Sequence, residues 1–450
     1  MQVSPARKTA FEILLRVEAG RGFAADLLQE PKISSLGEAD RRLATELVLG
    51  VLRWRGEIDH LLEMLSGRTV NALDIEVVTA LRLGLHQMTF LEKIPKSAAV
   101  NESVELTKMA RKSSAAGLVN AVLRKFKPSH EKKWRTQRPA EDHDSVDTAQ
   151  RLVPAWLLDR WKTNYGAAAA ISLAWTSTRV PPLTLRVPSS MIDPTEAIRK
   201  LEKKGFAVRR GRFAPRAIVL ESDDRIPQQL ANEMHLAIQD EASQIVPELL
   251  AIHRGNRILD LCAAPGMKTA QMADVLETGL LVACDISSRR LATMSRLLPR
   301  LTGKAGRIAM VRIDASEPLP FRTPFERILV DAPCSGTGTL ARNPEIKWRL
   351  TSQDLARLAE TQVRLLRNAL GMLAHGGRLV YATCSLEPEE NEGVIEAALP
   401  AAPDCRRLGR AEAMRELPAL DPLFDTEGYF HTRPDLHGMD GFFAAAIVRV

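Results

Sequence analysis

Two short stretches hold the residues best suited to chemistry. "VDAPCSGTG" runs from Val330 to Gly338 and "YATCSLEPEEN" from Tyr381 to Asn391, and each closes an apolar run with a cysteine. Such runs read as strands, so Cys334 and Cys384 are expected at two strand ends, where an open α/β sheet binds its ligands. A thiol at such a place is either core filler or a nucleophile. Two of them facing one crevice beside Asp331 point to covalent catalysis, in which one sulfur attacks and a second group helps the release. The chain has five cysteines, an odd number at wide spacing, which fits neither a disulfide framework nor a zinc site. Cys262, Cys284 and Cys405 read as small apolar core residues. The nine histidines show no ligand spacing, so no metal is expected.

Acids end the other candidate strands. "DLCAAPGMKT" runs from Asp260 to Thr269, and its small residues let backbone approach a ligand closely. Cys262, Ala263, Ala264, Pro265, Gly266, Met267 and Lys268 are therefore candidate cofactor-binding residues. With Gly266 as its one glycine, the loop is neither a GxGxxG fingerprint nor a GxxxxGK[ST] phosphate loop, which disfavours NAD binding and nucleotide hydrolysis. The next strands end in Asp285, Asp314 and Asp331. Each acid alone could cap the helix that follows it. As a set beside the small-residue loop, they point to an adenosine-bearing ligand without phosphates. S-adenosylmethionine fits, because its ribose needs acceptors.

The elements that must position these residues follow from hydrophobic period. From residue 256 onward, "NRILDLCA", "LLVACDIS", "GRIAMVRID", "ERILVDAPC" and "GRLVYATCS" alternate with helical segments such as "SQDLARLAETQVRLLRNALGML". Strands apolar on both faces and separated by helices predict a parallel sheet covered on each side. The tail "GYFHTRPDLHGMDGFFAAAIVRV" predicts a closing hairpin at an antiparallel edge. Residues 6 to 126 instead repeat at helical spacing, as in "EVVTALRLGLHQMTFL". Residues 151–240 mix extended "PPLTLRV" and "AIVLES" with the helical "PTEAIRKLEKKGF". The expected organisation is an all-α domain at 1–127, a polar linker at 128–150, a small α+β module at 151–240 and an α/β Rossmann-like catalytic domain at 241–450.

"DLCAAPGMKT", "DAPCSGTGTLARNPEIKW" and "TCSLEPEENE" together resemble the RNA cytosine-5 methyltransferase family. "AVNESVELTKMA" and "GLVNAVLRKF" resemble the NusB-type helical RNA-binding domain. That pairing is similar to bacterial methyltransferases of small-subunit ribosomal RNA. The resemblance implies methyl transfer from S-adenosylmethionine to a cytidine in 16S rRNA, through an adduct of a cysteine with carbon 6. The residues alone do not rank the two thiols. The Pro-Cys motif of DNA cytosine methyltransferases would nominate Cys334, whereas the RNA family uses its Thr-Cys cysteine and so nominates Cys384. On the closer resemblance Cys384 attacks, Cys334 assists breakdown of the adduct, and Asp331 bonds the base. Lys268 is a candidate cation to lower a thiol pKa. Met267 stands where the family often has a second glycine, which puts the shape of the methionine pocket in question. A transfer RNA substrate, or a non-catalytic RNA-binding assembly factor, are the alternatives.

Charge supports an RNA partner. The formal net charge is +7, and residues 1–135 hold 22 Lys/Arg against 16 Asp/Glu, so +6 of the excess lies in the first third. A basic face attracts phosphate backbone without reading sequence, although a merely solvated helical surface has the same composition. "RNPEIKWR", Arg342 to Arg349, reads as a further phosphate-holding loop or as a basic surface loop. No run of about 18 uncharged apolar residues occurs, so no membrane span is expected. The expected setting is cytoplasmic, with a monomer acting on naked or partly assembled 16S rRNA and with no DNA or membrane partner.

Overall fold

The computed structural model describes residues 3–127, 146–190, 192–221, 226–276, 278–302 and 307–450. It divides into two compact units. One holds residues 1–180 together with Leu340–Leu350, the other 181–339 together with 351–450. Among the described residues no helix is long and apolar enough to cross a membrane.

The first unit is helical. Its central helix, Ile75–Phe90, is buried at every position from Val77 to Thr89, as expected of a helix apolar on all sides. Pro5–Glu18, Glu38–Arg53, Arg55–Ser66, Lys96–Met109 and Ala116–Arg124 belong to the same unit. Leu81, Leu83 and Leu85 are fully buried, each contributing about 1.5–3 kcal/mol of transfer free energy. Gly84 permits close helix contact, since a Cβ there would lie 2.7 Å from Leu123 Cδ1. Arg82 enters this core only because Asp59 accepts from it at 2.7 and 2.8 Å and Glu18 at 2.9 Å, which offsets the cost of a buried cation. Of the expected linker, residues 128–145 lie outside the described residues, and Val146–Leu152 forms a helix.

Leu340–Leu350 folds into this helical unit although its neighbours in sequence do not. Trp348 Nε1 donates to Leu52 O at 2.7 Å, Arg349 to Gly22 O at 2.9 Å, and Glu345 accepts from Ala24 N at 2.7 Å. Lys347 is fully buried and donates to Arg53 O at 2.9 Å and Ser177 Oγ at 3.2 Å. Burial, with Arg53 adding to it, pushes this amine well below the usual lysine range. The expectation that "RNPEIKWR" is a phosphate-holding loop is corrected for Lys347, which is sequestered from any phosphate.

The second unit holds two sheets. β1 (Thr184–Arg186), β2 (Val208–Arg210), β3 (Ala217–Leu220) and β4 (Ala237–Ile238) form a small antiparallel sheet in the order β2-β3-β1-β4. Helix Pro194–Lys203 belongs with it, capped by Asp193, which accepts from Thr195 N at 2.7 Å.

The larger sheet contains β5 (Arg257–Leu261), β6 (Leu280–Asp285), β7 (Arg307–Arg312), β8 (Phe325–Asp331), β9 (Leu373–Thr383), β10 (Cys405–Arg407), β11 (Phe430–His431) and β12 (Phe443–Arg449). Its order is β10-β12-β9-β8-β5-β6-β7, with β11 beside β12. β5 to β9 pair in parallel, while β12 runs antiparallel to β9 and to β11, as the apolar tail predicts. Alternate residues serve two cores: Ile258, Val380 and Ala382 face one, Leu259, Leu379 and Tyr381 the other. A sheet covered on both faces needs strands apolar throughout, which these are. The chain passes from β5 outward to β6 and β7, then returns to place β8 on the opposite side of β5. The carboxyl ends of β5 and β8 thus flank the switch point where such folds bind ligands.

Candidate active site

The thiol pair comes from two adjacent parallel strands. Asp331 in β8 is paired with Ala382 in β9, and Cys334 and Cys384 follow three and two residues later. Neighbouring strands lie about 4.8 Å apart, so matched ends deliver matched loops. Ala332 N donates to Ala382 O at 2.9 Å and Gly338 N to Cys384 O at 3.0 Å, which carries the pairing past the strands. Gly338 must lack a side chain, because a Cβ there would sit 2.1 Å from Gly441 O. The sulfur atoms of Cys334 and Cys384 end 3.3 Å apart. Cys334 is pushed well above the usual thiol range, first by its hydrogen bond with Cys384 and then by burial.

Asp331 ends β8 within reach of the β5 loop. Lys268 Nζ donates to its Oδ2 at 2.8 Å and lies 5.0 Å from the centre of the Phe442 ring. Lys268 is thus engaged by a carboxylate and an aromatic face.

The β5 loop is built from unusual backbone. Cys262 has φ +63°, the Ala264–Pro265 bond is cis, and Gly266 has φ +102° directly before helix Met267–Val275. A Cβ on Gly266 would meet Met294 Cγ at 2.7 Å, so that position takes glycine alone. Met267 opens the helix and packs partly buried against the apolar core. Ala263 N donates to Cys284 O at 2.8 Å. Asp285 ends β6 and gathers the loop: its Oδ2 accepts from Ala264 N at 3.3 Å, its Oδ1 from Ser287 N at 2.8 Å, and Arg290 lies 3.5 Å away. Arg290 also donates to Ala264 O.

Asp260 lies beneath this loop. Its Oδ2 accepts from Thr269 Oγ1 at 2.5 Å, while its Oδ1 is buried without a partner. Burial pushes this carboxyl up to about 7, with Asp331 and Asp285 adding to the rise and Thr269 opposing it. Burial and the nearby carboxylates raise the Cys262 thiol, and burial takes Cys284 up to about 12. Neither is prepared for nucleophilic work. Asp314, by contrast, is exposed beyond β7, and its bonds stay within its own turn: it accepts from Ser316 N at 3.0 Å and Ser316 Oγ at 2.7 Å. The structure therefore gathers Asp260, Cys262, Lys268, Asp285 and Asp331 around the switch point and leaves Asp314 to a local turn.

The donor set suits S-adenosylmethionine. Acids and a tight backbone turn dominate, with no glycine-rich phosphate cradle, and the orphaned Asp260 Oδ1 lies unpartnered beneath the loop. Such surroundings accept hydroxyl and ammonium donors and tolerate a sulfonium.

One residue of this region escapes a reading of spacing. Glu390, in the acidic run "EPEEN", has no exposed surface and bonds to the residues that follow both cysteines. Three glutamates in a row of five suggest a solvated turn, and nothing in their order marks Glu387 and Glu390 as the buried ones.

Comparison with known proteins agrees with this architecture. Residues 247–448 match the 16S rRNA methyltransferase RsmB/F family, residues 4–128 the NusB family, and residues 153–226 the ferredoxin-like domain of RsmF/B-like methyltransferases. The chain is 30% identical to the probable ribosomal RNA small subunit methyltransferase B of Bacillus subtilis, covering 99% of each chain. It is 34% identical to the ribosomal RNA small subunit methyltransferase B of Pseudomonas putida, over 97% of this chain and 98% of that one. Among solved structures, a methyltransferase homologue from Pyrococcus horikoshii superimposes with a TM-score of 0.57 at 29% identity, over 68% of this chain and 98% of that one.

Proposed function

Because the chain belongs to the ribosomal RNA small subunit methyltransferase B family and takes S-adenosylmethionine as cofactor, we propose that it methylates carbon 5 of a cytidine in 16S rRNA through a covalent cysteine adduct. The observation that carries this reading is the 3.3 Å approach of the Cys334 and Cys384 sulfurs beyond the carboxyl ends of the neighbouring strands β8 and β9.

Carbon 5 of cytosine is a weak nucleophile while the ring is aromatic. The Cys384 thiolate adds to carbon 6, which breaks the aromaticity and leaves carbon 5 electron-rich. The attacking sulfur is assigned to Cys384 on the Thr-Cys motif shared with the RNA family, with Cys334 3.3 Å from it as the assisting thiol. Asp331 meets the exocyclic amine or ring nitrogen of the base and stabilises the charge that develops there. S-adenosylmethionine, when bound, supplies a methyl group activated by its sulfonium. Asp285 and the backbone of Cys262, Ala263, Ala264, Pro265, Gly266, Met267 and Lys268 would hold it, with Asp260 beneath them. Cys334, once its own proton has passed to solvent, then takes the proton from carbon 5. The electrons of that C–H bond form the C5–C6 double bond as the Cys384 sulfur departs.

A base inside a helix cannot reach a thiolate, so the target cytidine is splayed out or lies in a loop. In this reading the helical domain (1–127) and the small module (151–240) grip RNA backbone. The enzyme works in the cytoplasm as a monomer, on naked or partly assembled RNA. Incubation with labelled S-adenosylmethionine and precursor 16S rRNA, followed by nucleoside mapping, is expected to give 5-methylcytidine at one site. Label in another nucleoside, or in transfer RNA alone, would overturn the assignment.

A further inference from the structure

Glu390 joins the two cysteine loops. Its Oε1 accepts from Ser335 N and from Gln362 Nε2, both at 2.9 Å, and its Oε2 accepts from Ser385 Oγ at 2.5 Å and from Ser335 Oγ. Ser335 follows Cys334 and Ser385 follows Cys384. Their hydroxyls lie 3.0 Å apart under the same carboxyl oxygen. Gln362, from helix Ser352–Gly371, also donates to Pro333 O at 2.9 Å, and Tyr381 donates to the Glu390 carbonyl at 2.6 Å. The Glu390 residue is 0% exposed.

Burying a carboxyl group is costly unless its oxygens are bonded, and here both are bonded by residues adjacent to the thiols. An apolar side chain could fill the same volume without that cost, but it could not tie one loop to the other. β8 and β9 fix where the loops begin, and the backbone bond from Gly338 N to Cys384 O joins them further on. Beyond the strands, the bonds of Glu390 span the two loops next to the sulfurs.

We propose that Glu390 is the positioning residue of the thiol pair, holding loop 332–338 against loop 383–391 so that Cys334 and Cys384 address the same atoms of a substrate. The consequence for methyl transfer rests on the function proposed above; the geometric claim does not.

Disulfide closure by diamide tests it in the full-length protein. In that reaction two S–H bonds break and one S–S bond forms, and two hydrogens with their electrons pass to the N=N bond, giving the hydrazine. Glu390→Ala is expected to slow closure of Cys334 with Cys384 by about 10-fold or more, and to lower kcat for methyl transfer with little change in KM for RNA, because small misplacements of reacting groups cost large factors. Glu390→Gln keeps an acceptor for Ser335 N and Gln362, so it should recover a large part of both losses. If circular dichroism shows Glu390→Ala unfolded, the Ser335→Ala/Ser385→Ala double variant replaces it, with slowed closure again expected. Unchanged closure in the folded alanine variant, or in the double variant, overturns the proposal. Slowed closure in a protein whose wild type methylates no RNA would keep Glu390 in its role and reject the function instead.

Discussion

Lys268 Nζ lies 2.8 Å from Asp331 Oδ2, so the helix that follows β5 is tied to the end of β8 across the switch point of the sheet. The bond sets a cofactor-loop residue against the acid assigned to the base, and it leaves Asp331 Oδ1 for a ligand. Asp331→Asn should lower kcat for methyl transfer by about 10²–10³, the range for losing one charge-stabilising group. Because the pair is partly exposed, the loss of stability should stay within about 1 kcal/mol, read as a shift in urea midpoint. A large fall in stability with kcat intact would make the pair structural.

Asp260 predicts a pH dependence of stability. Its carboxyl is pushed up to about 7 in the folded protein, against about 4 in an unfolded chain. Between those values the folded state binds more protons than the unfolded one, so stability falls as pH rises from 4 to 7 and levels above that. Asp260→Asn removes the titration. Urea unfolding at pH 5 and pH 8 should show the variant gaining on the wild type at the higher pH, by up to a few kcal/mol. A difference that does not change with pH would contradict the buried, protonated carboxyl.

Lys347 gives the opposite sign. Its amine is held well below the usual lysine value, so between that lowered pKa and about 10.4 the unfolded chain binds the extra proton. Stability from this group therefore rises with pH across the window. Lys347→Met should flatten the rise and stabilise the protein most at neutral pH, as followed by thermal unfolding at pH 7 and pH 10. Loss of stability at both values would show that the bonds to Arg53 O and Ser177 Oγ outweigh the cost of burying the amine.

Thiol labelling separates the cysteines. Cys384 is partly exposed, whereas Cys284 is 1% exposed with its thiol pushed up to about 12. Iodoacetamide at pH 8 should modify Cys384 in the native protein and reach Cys284 only after denaturation, as peptide mass mapping will show. Cys284→Ala should cost roughly 1 kcal/mol of stability and leave methyl transfer within about 2-fold, as for a small buried side chain.

Much of the sheet was legible because its chemistry sits where hydrophobic runs stop. The apolar stretches ending at Leu261, Asp285 and Asp331 are β5, β6 and β8, and the apolar tail is an antiparallel β12. β2 was not legible, since two of its three residues are exposed arginines on a short strand and no apolar run marks it. The placement of Leu340–Leu350 in the helical unit was also hidden, because a basic segment reads as surface until Lys347 and Glu345 are seen buried. At the site, residue type nominated Cys334, Cys384 and Asp331, but the pairing of Lys268 with Asp331 and the bonds of Glu390 depend on which strands are neighbours. That is a property of topology rather than of spacing.

The covalent account is tested most directly by trapping protein–RNA adducts with each thiol removed in turn. Cys384→Ala is predicted to form no adduct with substrate RNA. Cys334→Ala is predicted to accumulate one that survives denaturing electrophoresis and maps to Cys384. An adduct that persists in Cys384→Ala and vanishes in Cys334→Ala would contradict the assignment of the attacking sulfur.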